Sequence, residues 1–116
     1  MSDRELLELA AKAAGYVIEL DMNWGTGGMP FFRMSGNKWN PLTDDGDALR
    51  LAVKLQLTVC NEHLSAGVAY CTDADENVYP EVQSTDHQPR VNDGDYAATR
   101  RAIVLCAAHI GEGQKK

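Results

Sequence analysis

Two tryptophans and a scattered set of arginines are the residues of this sequence best suited to binding chemistry. Trp24 lies in the glycine-rich segment 23–28, and Trp39 begins the Trp-Asn-Pro-Leu segment 39–42. Aromatic rings can stack on a nucleobase, but they also fill hydrophobic cores. The glycines are typical of a mobile lid, or of a surface loop whose Trp24 docks into the core, and both interpretations stay open.

Basic side chains near these rings could pair with an anion, because an arginine can donate two hydrogen bonds to one phosphate or carboxylate group. Arg50 has a second interpretation, since Asp47 lies three residues earlier on the same predicted helix and can pair with it. The predicted ligand-binding residues are Trp24, Arg33, Trp39, Asn40, Arg50, Arg90 and Arg100.

The acidic and histidine residues predict neither a metal site nor a catalytic centre. Asp44, Asp45 and Asp47 lack the alternating ligands and the terminal glutamate of a calcium-binding loop. Thr43 or Asp44 is expected to cap the helix that follows, and the three aspartates favour the positive end of its dipole. His63 and His87 show no partner pattern typical of a catalytic site. We therefore predict no metal, no cofactor and no catalytic residue.

The pattern of apolar residues predicts the elements that position these side chains. Ser2 and Glu5 form a capping box for a first helix, and Gly15 is placed to end it. A last helix is predicted to end at Gly111. The predicted helices cover 3–14, 44–55 and 94–109, and the predicted strands cover 16–20, 31–34, 57–61, 67–72 and 78–82.

Short turns between successive strands predict an antiparallel sheet, and three helices must bury their apolar faces against it. The expected fold is α+β, with an antiparallel sheet of about four strands layered with three helices as a sandwich. A chain of 116 residues forms one domain, 1–116, in which we expect 1–2 and 112–116 to be flexible.

Charge and composition narrow the classes of partner. The net charge of -6 argues against binding of long nucleic acids or anionic membranes, which need a basic surface. Three cysteines, without the spacing of a zinc site, predict free thiols in a reducing compartment. Neither a secretory signal nor an apolar run of membrane-spanning length is present in the sequence. We expect a cytoplasmic protein.

Several segments resemble one protein family. The turn 39–42 followed by 45–51, the segment 98–104 of the last helix and the end of the first helix at 14–16 are similar to small bacteriophage proteins of the "ABA sandwich" family. The resemblance covers most of the chain. It implies a sheet covered by helices, a phage or prophage origin and expression in a bacterial cytoplasm. It implies no activity and no catalytic residue.

Two functions follow as hypotheses. The first is a phage accessory protein, dimeric or larger, that binds a small anionic, nucleotide-like ligand and sequesters it, for example a host immune signal. The second is a non-enzymatic module that binds a host or phage protein through its sheet or the segment 22–38, where an acidic surface suits a basic partner. A hydrolase using His63 or His87 is the least favoured interpretation.

Overall fold

The architecture is given by a computed structural model that describes residues 2–21, 31–62, 67–79, 81–84 and 93–113. These residues form three helices and six strands. In chain order they are α1 (Asp3–Ala14), β1 (Glu19–Asp21), β2 (Phe31–Met34), β3 (Asn37–Trp39), α2 (Asp45–Lys54), β4 (Thr58–Glu62), β5 (Val68–Thr72), β6 (Val82–Gln83) and α3 (Asp93–Gly113).

Helix α1 has the predicted bounds, and its caps explain them. The Ser2 hydroxyl accepts a hydrogen bond from the Glu5 amide at the N-terminus. Gly15 adopts a left-handed φ of 75° at the C-terminus, where its N–H bonds back to the Ala11 and Lys12 carbonyls. Ser2 as the N-cap and Gly15 as the terminating glycine are therefore confirmed, and the Glu5 carboxylate accepts a hydrogen bond from the Ser2 hydroxyl at 3.2 Å.

The first sheet joins β1, β2 and β3 in antiparallel order. The strand predicted at 16–20 begins only at Glu19, and β3 was not predicted at all. Ser35 and Gly36 make the turn between β2 and β3, with φ values of 54° and 82°. The register places Arg33 directly opposite Lys38, so these two cations lie side by side on one face of the sheet.

The second sheet joins β4, β5 and β6, also in antiparallel order. Asp73 shapes the turn after β5, because its carboxylate accepts hydrogen bonds from the amides of Asp75 and Asn77. The strand predicted at 78–82 is reduced to a single bridge between Thr72 and Val78 and the two-residue β6. The described residues thus form two three-stranded sheets in place of the single sheet of about four strands, and the α+β class is confirmed.

Helix α3 is the central element of the fold. It packs against α1, α2 and the second sheet, while Phe32 and Trp39 bring the first sheet into the same hydrophobic core. The helix continues through Gly113, so the predicted end at Gly111 is wrong and residues 112 and 113 are helical. A Cβ on Gly111 would collide with the Leu9 carbonyl of α1, which shows that glycine serves close helix packing here.

The three cysteines are free, as predicted, and two of them belong to the core. Cys71 and Cys106 are fully buried, and burial raises the pKa of each thiol to about 12. Cys60 on β4 is partly exposed. Alkylation requires an accessible thiolate. In the folded chain the Cys71 and Cys106 thiols are therefore neither accessible to an alkylating reagent nor ionised.

We expect iodoacetamide at mildly alkaline pH to label Cys60 in the native chain and all three cysteines only after denaturation. Intact-mass and peptide mass spectrometry would count and locate the adducts, with the chain in guanidinium as the fully reactive control. Equal labelling of Cys71 and Cys106 in the native and denatured chains would contradict the burial described here.

Candidate functional site

A compact turn between β3 and α2 builds the candidate site. The Asn40 carbonyl oxygen accepts hydrogen bonds from the amides of Thr43, at 3.1 Å, and Asp44, at 2.9 Å. The Asn40 side-chain oxygen accepts another from the Leu42 amide at 3.0 Å. Pro41 is buried inside the turn and restricts its backbone. The turn is therefore held by its own hydrogen bonds.

Asp47 connects this turn to helix α2. One of its carboxylate oxygens accepts a hydrogen bond from the Asn40 amide at 3.0 Å, and the other accepts one from Arg50 Nη2 at 2.7 Å. The residue is only 9% exposed. Asp44 is the N-cap, and its carboxylate accepts a hydrogen bond from the Asp47 amide at 2.8 Å. Of the two predicted candidates for the cap, the structure selects Asp44 over Thr43, and the predicted pairing of Asp47 with Arg50 is confirmed.

Arg50 is fixed at one end and open to solvent at the other. Its side chain is 66% exposed, although Asp47 holds Nη2 and the Asp44 carboxylate lies 3.9 Å from the same nitrogen. The hydrogen bond to Asp47 is the main reason that the pKa of Arg50 is raised, so the guanidinium stays cationic. A guanidinium carries five N–H donors, and one that is anchored by Asp47 and 66% exposed suits an anion.

An open cleft of about 350 Å³ lies beside this network, and we refer to it as the turn cleft. Lys38 adds a second cation to its wall, and Asp44 places an acceptor at the same surface. The combination can bind a group that carries negative charge and, next to it, a hydroxyl donor. The residues that line the turn cleft are Lys38, Asn40, Thr43, Asp44, Asp47 and Arg50.

The structure brings two of the predicted ligand residues, Asn40 and Arg50, to the turn cleft. Trp39 lies in the core at 2% exposure, with its ring edge-on to Tyr16 at a centroid distance of 6.1 Å. Trp39 therefore has no exposed ring face on which a nucleobase could stack. Of the two roles predicted for aromatic rings here, Trp39 has that of filling the hydrophobic core. Trp24 and Arg90 lie outside the described residues.

The two remaining predicted arginines lie elsewhere. Arg33 lines a different cleft, and its Nη1 donates a hydrogen bond to the Gly36 carbonyl at 3.0 Å. Arg100 on α3 donates from Nε to the Leu42 carbonyl at 2.8 Å and from Nη1 to Asp45 at 2.6 Å. The Arg100 side chain is only 19% exposed. Its hydrogen bonds to Leu42 and Asp45 therefore stabilise the turn from the protein interior.

Sequence reasoning missed Lys38 as a site residue. The signal was available in the alternation of a strand, because the residue before the inward-facing Trp39 must point to the opposite face. A strand of only three residues, however, shows too short an alternation to be recognised from the sequence.

A second surface feature lies between α2 and α3. This apolar groove of about 360 Å³ is called the α2–α3 groove below. Leu49 and Tyr96 contribute its largest exposed apolar side chains, at 64% and 52% exposure. The residues that line it are Asp45, Ala48, Leu49, Ala52, Val59, Tyr96, Thr99, Arg100 and Ile103.

Comparison with protein-family models, with curated proteins and with solved structures finds no match for this chain. Two observations concern the described residues alone. Among them, no three histidine, cysteine, aspartate or glutamate side chains are grouped so that they could hold a metal ion. None of the three helices is both long enough and apolar enough to cross a membrane.

Proposed function

We propose that this protein is a non-enzymatic binding protein whose turn cleft takes a small, phosphate-bearing, nucleotide-like ligand. One observation carries the proposal. Asn40 and Arg50, both predicted from the sequence to bind ligand, line a single open cleft together with Lys38. The function is sequestration, in which tight binding alone removes the ligand from solution.

The charges of the turn cleft favour a ligand with one phosphate or diphosphate group over a polyanion. Arg50 and Lys38 supply donors to that group, and the Asn40 side-chain amide can add another. Asp44 is 58% exposed and would repel additional negative charge, but it can accept a hydrogen bond from a sugar hydroxyl. A nucleoside phosphate has both kinds of group next to each other.

The same proposal includes the origin and the architecture implied by the resemblance. The protein is encoded by a phage or prophage, acts in the bacterial cytoplasm as a homo-oligomer, and belongs to the ABA sandwich family with its layered helices and sheet. A phage protein that holds a host nucleotide signal would protect the phage during infection. The support for this part is the resemblance of the segments 39–42, 45–51 and 98–104.

Neutralising the two cations of the turn cleft tests the proposal. We expect Arg50→Gln and Lys38→Gln each to weaken binding of an ADP-ribose-type or cyclic nucleotide by roughly 10- to 100-fold, because a hydrogen bond to a charged group is worth about 1.5–3 kcal/mol. Isothermal titration calorimetry would measure the affinities, after native mass spectrometry has selected the nucleotide that binds.

Lys12→Gln is the matched control, because Lys12 is an exposed lysine in the last turn of α1, on another element. It removes the same charge and should leave the affinity unchanged. Equal weakening by all three variants would indicate a general charge effect. Absence of binding to every nucleotide and to inorganic phosphate would overturn the proposed function.

The second candidate function is that of a protein-interaction module. The observation in its favour is the α2–α3 groove, where Leu49 and Tyr96 expose apolar surface that a protein partner could cover. A pull-down from bacterial lysate with wild-type chain and Leu49→Arg would test it. A partner retained by the wild type and lost by the variant is the expected result for this function.

A further inference from the structure

A row of charged side chains crosses the first sheet next to the turn cleft. Glu19 on β1 pairs with Arg33 on β2, and Arg33 pairs in turn with Lys38 on β3. Directly paired residues of an antiparallel sheet have their side chains on the same face. The neighbouring pair, Phe32 and Trp39, is buried in the core, so the charged row lies on the opposite, outer face of the sheet.

Lys38 connects this row to the turn cleft. It lines the turn cleft together with Arg50, whereas its register partner Arg33 lines a second cleft of about 270 Å³. We refer to the second one as the Arg33 cleft. Since neighbouring strands lie about 4.8 Å apart, the walls of the two clefts adjoin at the pair of Lys38 and Arg33. The residues that line the Arg33 cleft are Val17, Glu19, Arg33, Ser35 and Gly36.

The Arg33 cleft contains a cation and a carboxylate on adjacent strands. Arg33 Nη1 donates a hydrogen bond to the Gly36 carbonyl at 3.0 Å, which anchors the guanidinium. A guanidinium carries five N–H donors, so one that is anchored through a single nitrogen can also donate to a phosphate group. Glu19 is exposed, and its two carboxylate oxygens can accept hydrogen bonds from two adjacent hydroxyls of a sugar.

The charged groups along this face have an order that a ligand must match. At the turn-cleft end, Asp44 Oδ2 lies 3.9 Å from Arg50 Nη2. Lys38 and Arg33 come next, and Glu19 ends the row. The strand spacing places the backbones of Lys38 and Glu19 about 10 Å apart. Two carboxylates therefore flank three cations, which matches a molecule in which two sugars flank a diphosphate.

We propose that the ligand of this protein is a diphosphate that links two sugar units, and that it spans the turn cleft and the Arg33 cleft. Its phosphate groups lie over Lys38, between Arg50 and Arg33. The hydroxyls of one sugar bind Asp44, and those of the other bind Glu19. The inference rests on the proposed nucleotide-binding function and narrows its ligand, because a mononucleotide could occupy the turn cleft alone.

Titration calorimetry with AMP, ADP and ADP-ribose tests the inference. These molecules carry one phosphate, a diphosphate with one sugar, and a diphosphate with a sugar at each end. We expect the affinity of the wild type to increase in that order. ADP-ribose should bind roughly tenfold or more tightly than ADP, as expected when a hydrogen bond to a charged group is gained. Equal affinities for AMP and ADP-ribose would overturn the inference.

Glu19→Gln distinguishes sugar binding from a general effect of charge. If the carboxylate only repels phosphate, removing its charge should strengthen the binding of every nucleotide. If it binds the second sugar, the variant should weaken ADP-ribose binding by roughly tenfold and should not weaken AMP binding. Glu112→Gln, at an exposed glutamate on α3, is the matched control and should change neither affinity.

Arg33→Gln tests the position of the second phosphate. It should weaken the binding of ADP and ADP-ribose by roughly tenfold and leave that of AMP unchanged. Far-UV circular dichroism would verify that each variant is folded. Unchanged ADP-ribose affinity in Glu19→Gln or Arg33→Gln would overturn the inference, whereas the proposed function would stand if Lys38→Gln and Arg50→Gln still weaken binding. Absence of binding to every nucleotide and to inorganic phosphate would overturn both.

Discussion

Replacing Gly111 with alanine is expected to destabilise the fold strongly, because the added methyl group has no room between α1 and α3. The added Cβ would meet the Leu9 carbonyl oxygen directly and would lie 2.9 Å from the Leu9 carbonyl carbon. Both obstructing atoms are backbone, so no side chain can turn away, and α1 and α3 must separate. Overpacking typically costs about 1–3 kcal/mol, and a collision with backbone belongs at or above the upper end.

Gly113→Ala is the matched control for this prediction. A Cβ at Gly113 meets nothing within 4 Å, and the residue belongs to the same helix. Alanine is a better helix former than glycine, by up to about 1 kcal/mol in a helix interior, so this variant should be neutral or slightly more stable. Urea denaturation curves of both variants would give their free energies of unfolding. Similar values for the two would contradict the close approach of α1 and α3.

The importance of Gly111 also shows why the last helix was predicted too short. From the sequence, a glycine after a run of apolar residues is a common helix terminator, and Gly15 serves as one. At Gly111 the determining contact is the backbone of Leu9, about a hundred residues earlier in the chain. A local pattern contains no information about that contact, so the two glycines look alike until the helices are packed.

The helix beginnings were predictable because their causes are local. Ser2 and Asp44 cap amides that lie three residues further along, and the structure places α2 within one residue of the predicted 44–55 at each end. Strands depend on neighbours instead. The three-residue β3 exists through its register with β2, and its own residues show no strong strand preference.

The same distinction applies to the candidate site. The pairing of Asp47 with Arg50 spans three residues of one helix and was predictable. The hydrogen bond from the Asn40 amide to Asp47 closes a turn, and the sequence alone does not give the geometry of that turn. Arg100 reaches the Leu42 carbonyl across 58 residues of chain. Sequence alone could not tell an arginine that supports the turn from one that faces a ligand.

Removing the Trp39 side chain is the second prediction with a large expected effect. Its ring is 2% exposed and contacts the Tyr16 ring edge-on, within the core shared by all three helices. We expect Trp39→Ala to lower the free energy of unfolding by about 3–5 kcal/mol, as for other buried large aromatic residues. Because the free energy of unfolding of a domain is typically about 5–15 kcal/mol, that loss leaves the variant only marginally stable. Val17→Ala, at 81% exposure, is the control and should change stability by less than about 0.5 kcal/mol.

Trp39→Phe separates a core role from a ligand-stacking role. Phenylalanine keeps an aromatic ring against Tyr16, so the variant should stay folded with reduced stability. If Trp39 only packs in the core next to the turn cleft, nucleotide affinity should change by less than about threefold. The reason is that no stacking contact worth about 1–3 kcal/mol is lost. Thermal unfolding and titration calorimetry on the same preparation measure the two effects. A large loss of affinity with little loss of stability would show instead that the indole contacts the ligand, and that the core opens when the ligand binds.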